Sequence, residues 1–224
     1  MNLKKLQAID WKKYLPLLTM LVFPFLGAMY AWSNAQVTHE VKVSTLITSF
    51  DTAIPFIKYF ALPYSIWIFY IYVCLVYFFF KDPTYYYRGL LTYIVCALVC
   101  YGIYSVFQTT VPRPVVTGSD PFSELMRYIY NRDKPFNCFP SIHCFSSYMV
   151  MRLVWTSGFR NKRNLMLITG MSSLIIMSTL FVKQHVIMDA IGGIVLVELM
   201  LPLVLLAERS FKSSRARQRS SLEA

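Results

Sequence analysis

The chain has 224 residues, of which 56% are hydrophobic, 17% aromatic and only 15% charged. Soluble domains carry about 25% charged residues, and a soluble chain of this size could not bury so much apolar surface, so lipid must solvate much of it. The net charge of +11 is gathered in short basic runs between apolar segments. That is the pattern of topology signals and anionic-lipid contact, and it argues against a nucleic-acid partner.

In chain order, Lys4, Lys5, Lys12 and Lys13 precede a first apolar run at 14–32. Ser33-Asn34-Ala35 has the look of a signal-peptidase site. The run is too long for a signal core, however, and reads as an uncleaved spanning helix. The stretch 41–60 carries Lys42, Asp51 and Lys58 among its apolar residues and reads as an interfacial helix or cap. Further spans are expected at 62–80, 89–107, 140–155, 165–181 and 186–207, some only with their polar motif residues included. The expected fold is therefore all-α: an integral membrane bundle of six transmembrane helices, with short extracytoplasmic interfacial helices, in one domain over 1–207. The basic, Ser-rich segment 208–224 reads as a disordered cytoplasmic tail.

Charge bias sets the orientation. With the N-terminus inside, fourteen Lys and Arg fall on inner segments and seven on outer ones, with Arg152 near the inner end of the fourth span. Both termini are then cytoplasmic. Between the third and fourth spans, Asp120-Pro121 followed by Phe122, Leu125, Met126 and Ile129 reads as a short amphipathic helix capped by Asp120. It is a candidate lid or side gate for lipid, with ordinary loop packing as the alternative. Glu198, deep in the last span, reads as a bundle contact more readily than as a proton relay. Cys138 and Cys144 flank a motif and could pair, although packing is the simpler role for all five cysteines.

There are three histidines. His39 reads as a solvated loop residue. His143 and His185 fall at the outer starts of the fourth and sixth spans, level with Arg113 and Lys183. Ionisable groups near membrane depth are costly and usually functional. His185 and Asp189 are four apart, so the carboxylate can fix the imidazole tautomer and leave the other nitrogen as nucleophile or base. Gly192 and Gly193 allow a neighbouring helix to approach closely. In Pro140-Ser141-Ile142-His143, Pro140 suits the first helical position, Ser141 offers a hydroxyl donor, and His143 can protonate a leaving group.

Arg113-Pro114, Pro140-Ser141-Ile142-His143, and Ser178-Thr179 followed after five residues by His185 and Asp189 resemble the three ordered blocks of the type 2 phosphatidic acid phosphatase superfamily. Those blocks are Lys-x6-Arg-Pro, Pro-Ser-x-His and Ser-Arg-x5-His-x3-Asp. Two positions depart: Val106 stands where the lysine belongs and Thr179 where the arginine belongs. The resemblance implies His185 as nucleophile, Asp189 as its support and His143 as general acid and base. Arg113, Lys183 and Ser141 are expected to hold phosphate oxygens, with Gln108 as a neutral contact. No carboxylate cluster accompanies the histidines, so neither metal nor cofactor is expected. The expected function is a lipid phosphate or diphosphate phosphatase in a plasma membrane, bacterial by its small size, with its site facing outside and the lipid and bilayer as partners. Transfer of a phospho-headgroup to an alcohol is the alternative, and a non-catalytic lipid-binding or transport protein is the second.

Overall fold

A computed structural model describes residues 11–35 and 43–222. His39 and the basic residues at positions 4, 5 and 42 lie outside them. The structure is 77% helix, and no strand occurs among the described residues. A 3-10 segment, Trp11–Leu21, leads into α1, Val22–Ala35. The short helix α2, Ser49–Ala53, is followed by α3, Ala61–Ser65, and α4, Trp67–Lys81. Next come α5, Pro83–Val106, α6, Pro121–Arg132, α7, Ile142–Thr156, α8, Lys162–Phe181, and α9, Ile187–Leu222.

Local sequence explains most of these boundaries. Asp82 caps α5, accepting from the Thr84 N–H at 2.9 Å, with Pro83 in the first turn where its missing N–H costs nothing. Asp120 caps α6 in the same way through the Phe122 and Ser123 N–H groups. Asn161 and Asn164 form a reciprocal capping box at the start of α8.

Among the described residues, five helical stretches are long and apolar enough to cross a membrane: Lys12–Trp32, Lys58–Lys81, Pro83–Val106, Lys162–Phe181 and Ile187–Arg215. The fourth expected span is the exception. It is α7, with 15 residues and so a length of about 22 Å, short of the ~30 Å hydrocarbon thickness. The physical reason is its position. α7 packs against α4, α5, α8 and α9 at once, and most of its side chains, including Ser146 and Ser147, are buried. A helix sheathed by other helices need be neither long nor uniformly apolar. Glu198 is a bundle contact, accepting from the Tyr148 hydroxyl at 2.6 Å and Arg152 Nε at 2.9 Å.

Two expected segments differ in form. The stretch before α3 is not one interfacial helix. It is an extended strap with one helical turn at α2 and a 3-10 turn at Lys58–Phe60, tied by hydrogen bonds from Ser44 N to Gln108 O and from Ile57 N to Phe181 O. At the other end α9 continues as helix to Leu222, where the composition pointed to an unstructured tail. No Gly or Pro follows Pro202, and Glu208 is paired with both Arg88 and Lys212.

Candidate active site

The site begins with a tight turn between α8 and α9. The Thr179 carbonyl accepts from the N–H groups of both Gln184 (3.0 Å) and His185 (3.1 Å), and Lys183 adopts the left-handed conformation, φ 53°. This turn delivers His185 immediately before α9. In the first turn of α9, the Asp189 carboxylate reaches back and accepts from the Val186 N–H at 3.0 Å. The same oxygen, Oδ2, lies 3.2 Å from His185 Nδ1. An ionised carboxylate can only accept, so this contact places a proton on Nδ1 and, in the neutral ring, leaves the lone pair on Nε2. His185 is 8% exposed and Asp189 1%.

His143 arrives from α7. Ser141 caps that helix, its hydroxyl oxygen accepting from the Cys144 N–H at 3.3 Å, and its own N–H donates to the Asp189 carbonyl at 3.1 Å. Pro140 therefore lies before the helix rather than in its first turn, joined to Phe139 by a cis peptide bond. Glycine makes the approach possible: a methyl group on Gly193 would lie 2.9 Å from the Ser141 carbonyl oxygen and from the Phe145 nitrogen. The result is that the His143 and His185 rings lie 5.6 Å apart between centroids. Tyr64 stacks on His143 at 4.5 Å and Trp67 lies 4.1 Å away. Both are anchored, Trp67 through Ser146 (2.7 Å) and Tyr64 through Asp133 (2.5 Å).

The expected phosphate ligands are arranged less uniformly. Arg113 donates through Nη2 to Gln184 Oε1 and through Nη1 to the Tyr130 carbonyl, and its guanidinium lies over the Tyr130 ring. It therefore reaches the residue next to His185. Lys183 is committed elsewhere, its ammonium donating to the strap carbonyls of Asp51 (3.0 Å) and Ile54 (2.5 Å). Ser141 is fully buried in its capping role. Gln108 donates to the Tyr104 carbonyl at 2.7 Å, and no described contact brings it to either histidine. The two departures have structural correlates. Val106 is exposed, whereas Thr179 is fully buried with its hydroxyl 3.6 Å from Cys144 Sγ.

Beside His185 lies a cavity of about 220 Å³. Its walls are the strap (Ile47, Asp51, Ile54, Phe56), the Val111–Pro112–Pro114 turn and the start of α9, with Lys183 and His185 on its surface. Asp51 closes one side by accepting from the Ile187 N–H at 2.7 Å. Burial, the largest influence, raises its pKa. The Thr48 hydroxyl and backbone, the Ile187 N–H and the Lys183 charge outweigh burial and hold the carboxyl below the ordinary range. α6, the candidate gate, is docked: Met126 and Ile129 are buried with Ala61, Tyr64 and Val182, and Lys58 pairs with Asp120 at 2.5 Å.

Asp51 was noted in the sequence only as a charge in the 41–60 stretch, and Tyr64, Trp67, Asp133 and Gln184 were not singled out. Only Gln184 carried a local signal, its place next to His185. Cys138 was weighed for a disulfide, with packing as its simpler role; all five cysteines are free and buried. Its thiol and donor atoms of His185 and Asp189 lie within 4.8 Å of one another, a spacing a metal ion could bridge. Burial first, then the Asp189 and Asp133 carboxylates, push the thiol's pKa well up.

Comparison with curated proteins and with solved structures gives no match. A family model described as PAP2 superfamily matches residues 40–203, a stretch that holds every residue of the site just described. The two histidines with their carboxylate and that match over most of the chain lead to one conclusion, that this protein belongs to the PAP2 superfamily.

Proposed function

We propose that the protein is a membrane lipid phosphate or diphosphate phosphatase working through a phosphohistidine, without a metal. The observation that carries this reading is the pairing of a tautomer-fixed His185 with a second imidazole 5.6 Å away. In the first step His185 Nε2 attacks phosphorus, the P–O bond to the leaving group breaks, and His143 gives that oxygen its proton. The Nδ1 proton stays between His185 and Asp189, whose charge stabilises the imidazolium. In the second step water attacks phosphorus, His143 takes the water's proton, and the N–P bond breaks. The acid of the first step is the base of the second, so the cycle closes.

Membership of the PAP2 superfamily and the five apolar helices support a phosphorylated substrate met at a membrane. We read α7 as the sheathed sixth member of one membrane domain over 1–207. The charge bias of the sequence orients both termini to the cytoplasm and the histidine pair to the outer face of a plasma membrane, in a bacterium. The cavity walls of Ile47, Ile54, Phe56 and Val111 suit the apolar part of a lipid. The test is a phosphate-release screen over lipid phosphates and diphosphates with chelator present, run beside His185→Ala. Release that persists with chelator and vanishes in the variant is expected; release by the variant would overturn the assignment.

One observation favours transfer to an alcohol as a second reading. Val106 and Thr179 remove two cations from the family pattern and Lys183 is held by the strap, which suits a less charged phosphodiester. Labelled lipid incubated with alcohols then yields a new diester and little free phosphate.

A further inference from the structure

The amide of Gln184 has its orientation dictated by chemistry. Its oxygen faces Arg113 Nη2, and because a guanidinium is donor-only, the atom that meets it must be the acceptor. The amide nitrogen, with two N–H donors, therefore points away from Arg113. Gln184 is 2% exposed, and this nitrogen has no partner among the described residues. Arg113 Nε is also buried and unpartnered. Two side chains bonded to each other thus each retain an unpaired donor. Burying such groups unsatisfied is costly, so their presence together next to His185 needs a reason. Both are donors on residues joined by one hydrogen bond beside His185, and an anion is a group that can satisfy such donors.

Resting on the phosphatase reading above, we propose that Gln184 and Arg113 form a donor cradle for the non-bridging oxygens of the phosphoryl group attacked by His185. Gln184 takes the place of the family's third-block arginine. Position 179 holds instead a fully buried threonine whose hydroxyl lies 3.6 Å from Cys144 Sγ of α7, and whose carbonyl builds the turn that carries Gln184. A donor from the residue before His185 reaches the same phosphoryl group from a different backbone position, and it is neutral. Arg113 sets the direction of the amide and supplies the charge.

The experiment separates this role from a purely structural one by the sign of one substitution. Detergent-purified full-length protein carrying His185→Ala, which cannot turn over, is titrated with dioctanoyl phosphatidate and with inorganic vanadate. Adding Gln184→Leu is expected to weaken binding of both about 10- to 100-fold, the scale of lost hydrogen bonds to a charged group. Gln184→Glu keeps the acceptor facing Arg113, and should hold or raise the melting temperature through an ion pair. It places a carboxylate oxygen where the donors were, so binding should fall further than in the leucine variant. A glutamate variant that binds within about twofold of its parent, or a parent that binds neither probe, overturns the cradle. Turnover surviving His185→Ala in an otherwise native chain overturns the phosphatase reading instead, and leaves the binding comparison intact.

Discussion

The α-carbon of Gly193 lies so close to the carbonyl oxygen of Ser141 that a methyl group there would sit 2.9 Å from it. This contact seats the N-terminus of α7 on the first turns of α9, and with it His143 beside His185. Unlike a flexible side chain, the Ser141 carbonyl and the Phe145 nitrogen are backbone and cannot turn aside. Gly193→Ala should therefore separate the helices, at about 1–3 kcal/mol of overpacking, and lower turnover at least about tenfold because the acid is displaced from the nucleophile. Gly170, with nothing within 4 Å, is the control: Gly170→Ala should leave turnover and melting temperature equal or better. Equal behaviour of the two variants would remove the helix contact from the account.

Asp189 has two functions that one substitution can separate. Asn at this position can still accept from the Val186 N–H, so the start of α9 should persist. It cannot supply the negative charge that stabilises the His185 imidazolium. We expect turnover to fall by up to about 10⁴-fold, the scale seen when the orienting carboxylate of a catalytic triad is neutralised, with KM little changed. A matching rise in KM would assign Asp189 to substrate binding.

Lys183 was expected to hold phosphate, and its ammonium instead grips two carbonyls of the strap. Lys183→Met should therefore raise amide exchange across 44–57 before it alters affinity for phosphate. The measurement is hydrogen exchange with and without dioctanoyl phosphatidate. Unchanged exchange in the strap, with a large loss of affinity, would restore the phosphate-binding role.

The Asp51 tether has a pH signature of definite sign. Its folded pKa is lowered, so its contribution is fully present above the ordinary carboxylate value of about 3.9. That contribution is lost as pH falls through the depressed folded value. Exchange at the Ile187 amide, corrected for the intrinsic rate, should stay flat from neutral pH down to about 4 and rise only in stronger acid. A rise near pH 6 would implicate an imidazole instead of this carboxylate.

How much of this was legible in the sequence follows from the range of each signal. Hydropathy runs and caps are local, so the spans and the Asp120-capped helix could be read directly. The His185–Asp189 pair and the close glycines were also legible, because four-residue spacing and missing Cβ atoms are properties of one helix. α7 was read as an ordinary span because apolar content does not say whether a helix faces lipid or other helices. The partners of Lys183 and Gln108 were not legible for a related reason: a side chain's partners depend on segments far away in sequence, and the Asp51 strap lies more than 100 positions from the lysine it occupies. Asp133 and the Tyr64–Trp67 pair escaped notice because nothing in their own neighbourhood marks them; they acquire a role only when α3 and α6 close around His143.

The central claim is that His185 carries the phosphoryl group in passing. Rapid-quench labelling with a lipid phosphate bearing radioactive phosphorus tests it most directly, with the modified residue located by peptide mapping. The account predicts acid-labile, base-stable label on His185, absent in His185→Ala and formed at least as fast as turnover. Product formation with no label on that imidazole, or label on a serine or on His143, would contradict it.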